Sequence, residues 1–404
     1  MLTSSYPRWA GDGAGIYVVS LARMLVELGH NIDVIAPWDQ AIQPMDTGGV
    51  RIHRFRYAPS ARLHLLGHGR SLIADVRLKG IIPLLLPGYI MAASACARAL
   101  YRREPYDLIH GHWSVPGGFI AGQLARSLKL PLIVSLHGSD VYLTEHSKVY
   151  AFAAHQAFSE ARYVTAVSQH LLDRSRSAGL EQRKASVIPC GVDTARYARG
   201  DGQALRRRLG LPSDAPLIGA LGRLVYKKGF TNLISAMQVI HQQVPGVHCV
   251  IAGEGDLMAE LTAQAQALGL TDIVHLIGHL SWQETPDFYD MCDLVALPSV
   301  VDAYGNVDGL PNVLLEAMAA GRAVVASRAA GMDDLVVDGS NGLLVPAGDV
   351  LALAQAAISL LGDAEHRLAF GHAARQKMIE QYDWRAIAQR FVALYTATLG
   401  ARYE

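Results

Sequence analysis

Short apolar runs alternate with longer stretches of helical periodicity along most of the 404-residue chain. Near the start, Ile16, Val19, Ala22, Leu25 and Leu28 recur at three- and four-residue spacing and stop at Gly29, which predicts an amphipathic helix over 14–28. The mainly apolar run 32–36 then reads as a buried strand. Runs of the same kind predict strands at 108–110, 132–136, 164–167 and 186–188 in the first half. In the second half they fall at 217–221, 248–252, 274–277, 294–297 and 323–326, with helical patterns at 230–243 and 256–268 between them. A last amphipathic helix covers 384–399. Strand and helix alternating in this way, twice over, predict two parallel α/β sheets. The Arg-, Gly- and Ala-rich segment 193–213 reads as the linker between them. Ahead of the first loop, Met1-Leu-Thr3 leaves two or three residues for a strand, where a central strand needs about five. Either that strand is clipped or its start lies upstream.

Length alone predicts two or three domains, since one hydrophobic core does not grow to this size. Hydrophobic residues make up 51% and charged residues 18%, the balance of a folded globular protein. Basic and acidic side chains number 36 each, so bulk charge selects neither nucleic acid nor an acidic substrate. Their distribution is uneven. Between Arg51 and Arg103 ten Lys or Arg face one acid, Asp75. Inside that segment, residues 80–97 carry no charge but are broken by Gly80, Pro83, Pro87 and Gly88, which predicts a buried or interfacial segment rather than a membrane span. The four cysteines, Cys96, Cys190, Cys249 and Cys292, lie far apart and read as reduced thiols. No basic region followed by an apolar run opens the chain, so no secretory signal is expected.

Six clusters carry chemistry. Asp308-Gly-Leu-Pro-Asn-Val-Leu-Leu-Glu316-Ala-Met-Ala-Ala-Gly321 sets two carboxylates eight residues apart across a helix start. Pro311 suits the first helical position and Gly321 the left-handed stop. A helix N-terminus attracts anions, and a carboxylate beside it accepts hydrogen bonds from ribose hydroxyls. Gly11-Asp-Gly13-Ala-Gly15 lets backbone N–H groups approach a diphosphate, although it is neither a dinucleotide fingerprint nor a P-loop. Gly222-Arg223 followed by Lys228-Gly229 puts two cations at the end of a strand, where open α/β sheets bind ligands. Gly253-Glu254-Gly255 and Pro298-Ser299 close neighbouring strands with small residues, and His137-Gly-Ser139-Asp140 places an imidazole at the same edge in the first half. His110-x-His112 and His64-x3-His68 have metal-ligand spacing but no third ligand nearby, so no metal is expected. There is no G-x-S-x-G elbow and no Asp-x-Asp pair, and the basic segment lacks the interleaved aromatics of a nucleic-acid platform.

Taken together and in this order, these motifs, with Ile188-Pro-Cys-Gly-Val-Asp193, resemble retaining glycosyltransferase family 4 over essentially the whole chain. The resemblance implies a GT-B fold: two Rossmann-like α/β domains facing across a cleft, with the C-terminal helix crossing back to the first. The domains are expected at 1–195, on the acceptor side, and 196–380, on the donor side, with the returning helix at 381–404. It implies transfer of a hexose from a nucleoside-diphosphate sugar, with no cofactor and no metal. Arg223 and Lys228 are expected to grip the donor diphosphate and Glu316 the ribose. Asp308 is expected beside the hexose hydroxyls and His137 near the reacting face. Gly13, Gly15, Gly253, Glu254, Gly309 and Leu310 complete the donor set. Two departures stand out: Asp308 replaces the usual Glu, and Cys190 the usual Asn. The 107–119 segment (Asp107-Leu-Ile-His-Gly-His-Trp-Ser-Val-Pro-Gly-Gly-Phe119) is similar to members that build bacterial cell-surface polysaccharide. That implies a lipid-linked or glycan acceptor, and a cytoplasmic enzyme held peripherally on an anionic membrane by its basic segment. A sugar-nucleotide epimerase or phosphorylase shares the architecture and is the alternative. A dinucleotide oxidoreductase should instead show G-x-G-x-x-G after a full first strand.

Overall fold

The computed structural model describes residues 1–68, 82–302, 310–329 and 331–400. The chain divides into two compact units, one of Met1–Gly191 with Trp384–Glu404 and the other of Val192–Asp383.

The first unit, among the described residues, holds six parallel strands: β1 (Asp33–Pro37), β2 (Arg51–Phe55), β3 (Ile109–His112), β4 (Leu132–Leu136), β5 (Tyr163–Ala166) and β6 (Ala185–Val187). They pair as β1-β2 and β3-β4-β5-β6. A single residue joins the two groups. Leu2 bridges Ile35 on one side and Gly111 on the other. Its N–H donates to the His110 carbonyl at 2.9 Å, and its own carbonyl accepts from His112 at 2.9 Å. The short first strand read from the sequence is therefore real, and it sits at the centre of the sheet. β4 is buried at all five positions, as a strand covered on both faces must be. Against it pack helix Ile16–Glu27 and the returning helix Trp384–Gly400, which share a core of Leu21, Leu25, Ile133, Ile387 and Phe391. Tyr395 of the returning helix meets His110 Nδ1 at 2.7 Å through its hydroxyl.

Helix Ile82–Arg103 buries a stripe of Tyr89, Ala93, Ser94 and Ala97, spaced to share one face. Its other face carries Leu84 and Met91, 78% and 72% exposed. Only 17% of the apolar 18-residue window within Leu84–Arg103 is buried; by length and composition alone this helix could cross a bilayer.

The second unit, among the described residues, also holds six parallel strands: β7 (Leu217–Leu221), β8 (His248–Ala252), β9 (Val274–Gly278), β10 (Leu294–Leu297), β11 (Ala323–Ser327) and β12 (Leu343–Val345), ordered β12-β11-β10-β7-β8-β9. Chain order runs outward in one direction from β7 and then outward in the other from β10. In such doubly wound sheets, ligands bind outside the carboxyl ends of the strands at that reversal. Helix Phe230–Gln243 buries Leu233, Ile234, Met237 and Ile240 against the sheet, each at most 1% exposed and each stabilising by about 1.5–3 kcal/mol.

The linker expected at 193–213 is instead an integral part of this second unit. Helix Gly202–Arg208 sits in it, and the buried Arg206 guanidinium donates to the carbonyls of Met291, Pro212 and Ala215. The basic composition that suggests a solvated connection is, at Arg206, a staple that satisfies main-chain oxygens.

Candidate functional site

In the second unit the loops after β7, β8 and β10 meet at the reversal point. Gly222 and Leu224 N–H groups donate to the carbonyls of Ala252 and Glu254 at 3.0 and 2.8 Å, so the loop bearing Arg223 runs alongside Gly253–Gly255. That closeness requires glycine. A Cβ built on Gly253 would lie 1.9 Å from the Gly222 carbonyl oxygen, and one on Gly255 would collide with Leu224. Lys228 ends a short 3-10 turn, and Gly229 behind it takes a left-handed φ of 66°. A Cβ there would lie 1.9 Å from the Pro298 carbonyl oxygen. The Val300 N–H donates to the Lys227 carbonyl at 2.9 Å, tying this turn to the loop after β10. Arg223 and Glu254 are exposed, Lys228 and Gly253 half-buried. The structure thus brings Arg223, Lys228, Gly253 and Glu254 to one sheet edge. Helix Phe230–Gln243 starts at the same edge, and helix Asn312–Ala319 follows β10 there.

The second helix differs in detail from its sequence reading. Pro311 is the N-cap, with extended backbone (φ −69°, ψ 120°), and not the first helical residue, so Glu316 sits about one turn inside the helix. Gly321, at φ 69°, ends it as expected. Its N–H donates to Met318 and that of Arg322 to Ala317, the paired bonds of a Schellman stop. Leu310 is half-buried just before the helix. Asp308 and Gly309 lie outside the described residues.

Glu316 is not a solvated side chain of an amphipathic helix. Its Oε2 accepts from the buried Tyr289 hydroxyl at 2.8 Å. Burial pushes the carboxyl above its ordinary range, against the pull of the Tyr289 hydrogen bond, the Tyr197 hydroxyl and the Arg196 charge. Arg196 lies flat on the Trp282 ring, 3.4 Å from its centre, and donates to the Trp282 carbonyl. Sequence reasoning missed these partners. Tyr289 and Tyr197 lie 27 and 119 positions from Glu316, and neither belongs to a periodic pattern that points at it.

In the first unit the corresponding edge holds the glycine-rich loop and His137. Asp12, buried, ties the loop down: it accepts from the Arg8 N–H and guanidinium and from the Ala14 N–H. Gly15, at φ 67°, caps helix Ile16–Glu27, and a Cβ on it would overlap the Ser5 carbonyl. Gly13 is different. It is exposed, and a Cβ placed on it would meet nothing within 4 Å, so the fold itself does not demand glycine there.

The His137 ring is wedged between Tyr17, Trp113 and His112, with ring centres 4.0, 4.8 and 5.6 Å away. His112 Nδ1 and His137 Nε2 are 3.4 Å apart, so one proton serves the pair. Burial, then the neighbouring His112, holds His137 well below the usual imidazole range; His112 itself is pushed down to about 3 by burial. Both rings are neutral near pH 7. Asp140 is a fastener. Its carboxylate accepts from the N–H groups of His137, Gly138 and Ser114, clasping the loops after β3 and β4 together. Cys190 faces the same small cavity as Tyr17, His112 and His137, with its thiol pushed up to about 12 by burial and therefore inert. Among the described residues no three His, Cys, Asp or Glu side chains come close enough to hold a metal ion. His64 and His68 pack instead, His64 against Trp38 and Tyr57 and His68 onto the carbonyls of Tyr6 and Pro37.

Two family models match the chain, one described as glycosyl transferases group 1 over residues 201–377 and one as glycosyltransferase family 4 over residues 11–196. The chain is 34% identical over 287 residues to a GDP-mannose-dependent alpha-(1-6)-phosphatidylinositol monomannoside mannosyltransferase of Mycolicibacterium smegmatis, an alignment covering 70% of this chain and 75% of that protein. With a GDP-mannose-dependent monoacylated alpha-(1-6)-phosphatidylinositol monomannoside mannosyltransferase of Corynebacterium glutamicum it shares 29% over 304 residues, 74% and 78% of the two chains. HepE of Anabaena, crystallised with UDP, superimposes with a TM-score of 0.76 at 23% identity, covering 98% of both chains. The fold, two parallel α/β units, is GT-B.

Proposed function

The chain belongs to the group 1 and family 4 glycosyltransferases, and from that premise we propose that it moves a hexose from a nucleoside-diphosphate donor to a lipid-linked or glycan acceptor, with retained configuration and without a metal. One observation carries the donor half of this reading. Arg223, Lys228 and two helix N-termini gather at the reversal point of the second sheet, with Glu316 held one turn inside the second of those helices. Departure of the nucleotide builds negative charge on its terminal phosphate. Fixed cations and N–H groups there stabilise that charge as a metal ion does elsewhere, and each such donor contributes about 2.7–4 kcal/mol to lowering the barrier. Glu316 takes the ribose hydroxyls. Asp308, a methylene shorter than the family's usual Glu, takes hexose hydroxyls. In the first unit Gly13 and Gly15 lend backbone N–H groups to the diphosphate. His137, neutral, acts near the reacting carbon through a hydrogen bond and not as a cation.

The mannosyltransferase relatives act with GDP-mannose on phosphatidylinositol mannosides, and HepE binds UDP. They support a GDP- or UDP-hexose donor and an acceptor used in cell-surface glycan or glycolipid synthesis at the cytoplasmic face. The exposed Leu84 and Met91 face of helix Ile82–Arg103, with Arg98, Arg102 and Arg103 toward its end, supports peripheral docking on an anionic leaflet. Each basic residue near such a surface contributes about 1 kcal/mol.

A thermal-shift panel of nucleotide sugars, followed by hydrolysis of the stabilising ones without acceptor, tests the donor. A GDP- or UDP-sugar should stabilise the protein and be slowly hydrolysed, with or without EDTA. Stabilisation by NAD alone overturns the donor reading. Activity lost to EDTA and restored only by a divalent cation overturns the metal-free chemistry, and recovery of an epimerised donor selects the alternative.

A further inference from the structure

Glu316 has more protein around it than a ligand-binding carboxylate requires. Tyr289, on helix Thr285–Met291, is fully buried and gives its hydroxyl to Glu316 Oε2 at 2.8 Å. Tyr197, on the 3-10 turn Arg196–Ala198, is 5% exposed, and its hydroxyl acts on the same carboxyl while lying 3.3 Å from Thr285 Oγ1. The two rings pack edge to face at 5.7 Å. Buried tyrosine hydroxyls need partners, but a main-chain carbonyl would serve at no charge cost. Here one of them donates to an ionisable group and the other acts on it from close by. A carboxylate offers about four lone-pair positions, so the Tyr289 hydroxyl occupies part of it and leaves the remainder to a ligand.

We propose that Tyr289 and Tyr197 are positioning residues of the donor site, clamping the Glu316 carboxylate so that its remaining acceptor positions meet the ribose diol of the nucleotide sugar. This rests on the donor-site reading given above. The clamp does two things that neither packing nor the helix alone achieves. It fixes the rotamer of a flexible side chain before the donor arrives, so less ordering is left to oppose binding. It also favours the ionised carboxylate, the form that accepts from both ribose hydroxyls, because a tyrosine O–H donates to a charged oxygen more strongly than to a neutral one. Burial acts in the other direction on the same group. The charged or titratable groups acting on the carboxyl among the described residues are Tyr289 from the Thr285–Met291 helix, with Tyr197 and Arg196 from the 3-10 turn.

The experiment is a double-mutant cycle on the full-length enzyme, read as donor KM, kcat and their pH dependence. Tyr289→Phe keeps the ring and its packing and removes one hydroxyl. Donor KM should rise about ten-fold or more with kcat changed far less, the size expected for a hydrogen bond to a charged group. Tyr197→Phe should raise it in the same direction. The acid limb of 1/KM should move to higher pH in both, since each lost donor leaves Glu316 easier to protonate. In a Glu316→Gln background, Tyr289→Phe should change KM less than two-fold, because the group it acts through has lost its charge. Equal effects of Tyr289→Phe in both backgrounds, or an acid limb that does not move, overturn the clamp and make Tyr289 a packing residue. If Glu316→Gln itself leaves donor KM unchanged, the donor-site assignment of Glu316 fails first and the proposal with it. Glu316→Gln raising KM while both tyrosine variants behave as wild type refutes the clamp alone.

Discussion

Adding one methyl group at Gly229 should separate the shape of the donor edge from its charge. A Cβ at this position would lie 1.9 Å from the Pro298 carbonyl oxygen, where real Cβ contacts stay above 3.0 Å, so something must move by at least about 1.1 Å. The atoms that can move are the turn carrying Lys228 and the loop after β10, the two pieces that meet at the reversal point. A displacement of about 1 Å in a catalytic constellation costs about a hundred-fold in rate. The same variant also pays for a left-handed backbone and for overpacking, together about 2–4 kcal/mol, which at about 2–4 °C per kcal/mol lowers the melting temperature of a domain of this size by several degrees. Gly210→Ala is the control. It has a similar left-handed φ, 69°, in the same unit, but its Cβ would meet nothing within 4 Å. It should lose about 1 kcal/mol and no activity. Initial rates with saturating donor, measured well below both melting temperatures, give the comparison. Turnover of Gly229→Ala within three-fold of wild type, in a protein that melts lower as expected, would show that this edge does not hold the reacting diphosphate.

Arg223→Ala and Lys228→Ala should each lower turnover by about a hundred-fold or more with unchanged circular dichroism; near-normal rates in the folded double variant remove them from the donor site. Asp308→Asn should lower kcat more than it raises donor KM, because a contact at the hexose tightens in the transition state, whereas Asp308→Glu should stay active; wild-type kinetics for the Asn variant leave the hexose to other residues. Flotation with anionic and neutral liposomes should show salt-sensitive binding to the anionic ones only, reduced by Leu84→Glu with Met91→Glu; equal binding to both kinds of vesicle speaks against electrostatic docking. Melting temperature should fall as pH drops below about 6.5. The unfolded chain takes up protons there, while His112 and His68 in the folded chain resist them until about pH 3 and 4, so stability is complete above pH 6.5 and declines below it at up to about 1.4 kcal/mol per pH unit for each imidazole. A flat profile between pH 7 and 5 contradicts the buried neutral histidines.

Strands covered on both faces are the easiest to read. Runs 132–136, 217–221, 248–252 and 294–297 coincide with β4, β7, β8 and β10, because a continuous apolar run has nowhere else to go. What escapes lies at the edges. Among the described residues β2 (Arg-Ile-His-Arg-Phe) pairs only with β1, and its polar Arg51, His53 and Arg54 are exposed or half-buried, so its pattern merges into the basic segment around it. β12 is three residues long. The linker reading fails because composition cannot tell a solvated arginine from Arg206, whose guanidinium is used up on carbonyls 6 to 85 residues away. The same limit applies at the candidate site. Individual motifs mark Arg223, Lys228, Glu316 and His137, but the second layer, Tyr289 on Glu316 and His112 on His137, forms only when distant strands and helices are brought side by side.

The helix Trp384–Gly400 that completes the first unit sets the order in which the protein can assemble. The second unit is one uninterrupted stretch of chain, whereas the first lacks Ile387, Phe391 and Tyr395 from its core until the second unit has been synthesised. At about 5–20 residues per second, some 10–40 s of synthesis separate the last residue of β6 from those side chains. During that interval Leu21, Leu25 and Ile133 lack the Trp384–Gly400 helix that covers them, and His110 has no tyrosine hydroxyl to meet. The usual sequence of events, with the N-terminal domain folding first on the ribosome, is therefore reversed: the interior segment can mature while its predecessor waits. Chaperone dependence should track the first unit, and truncations that stop short of the final helix should yield a soluble second unit attached to an unfinished first one.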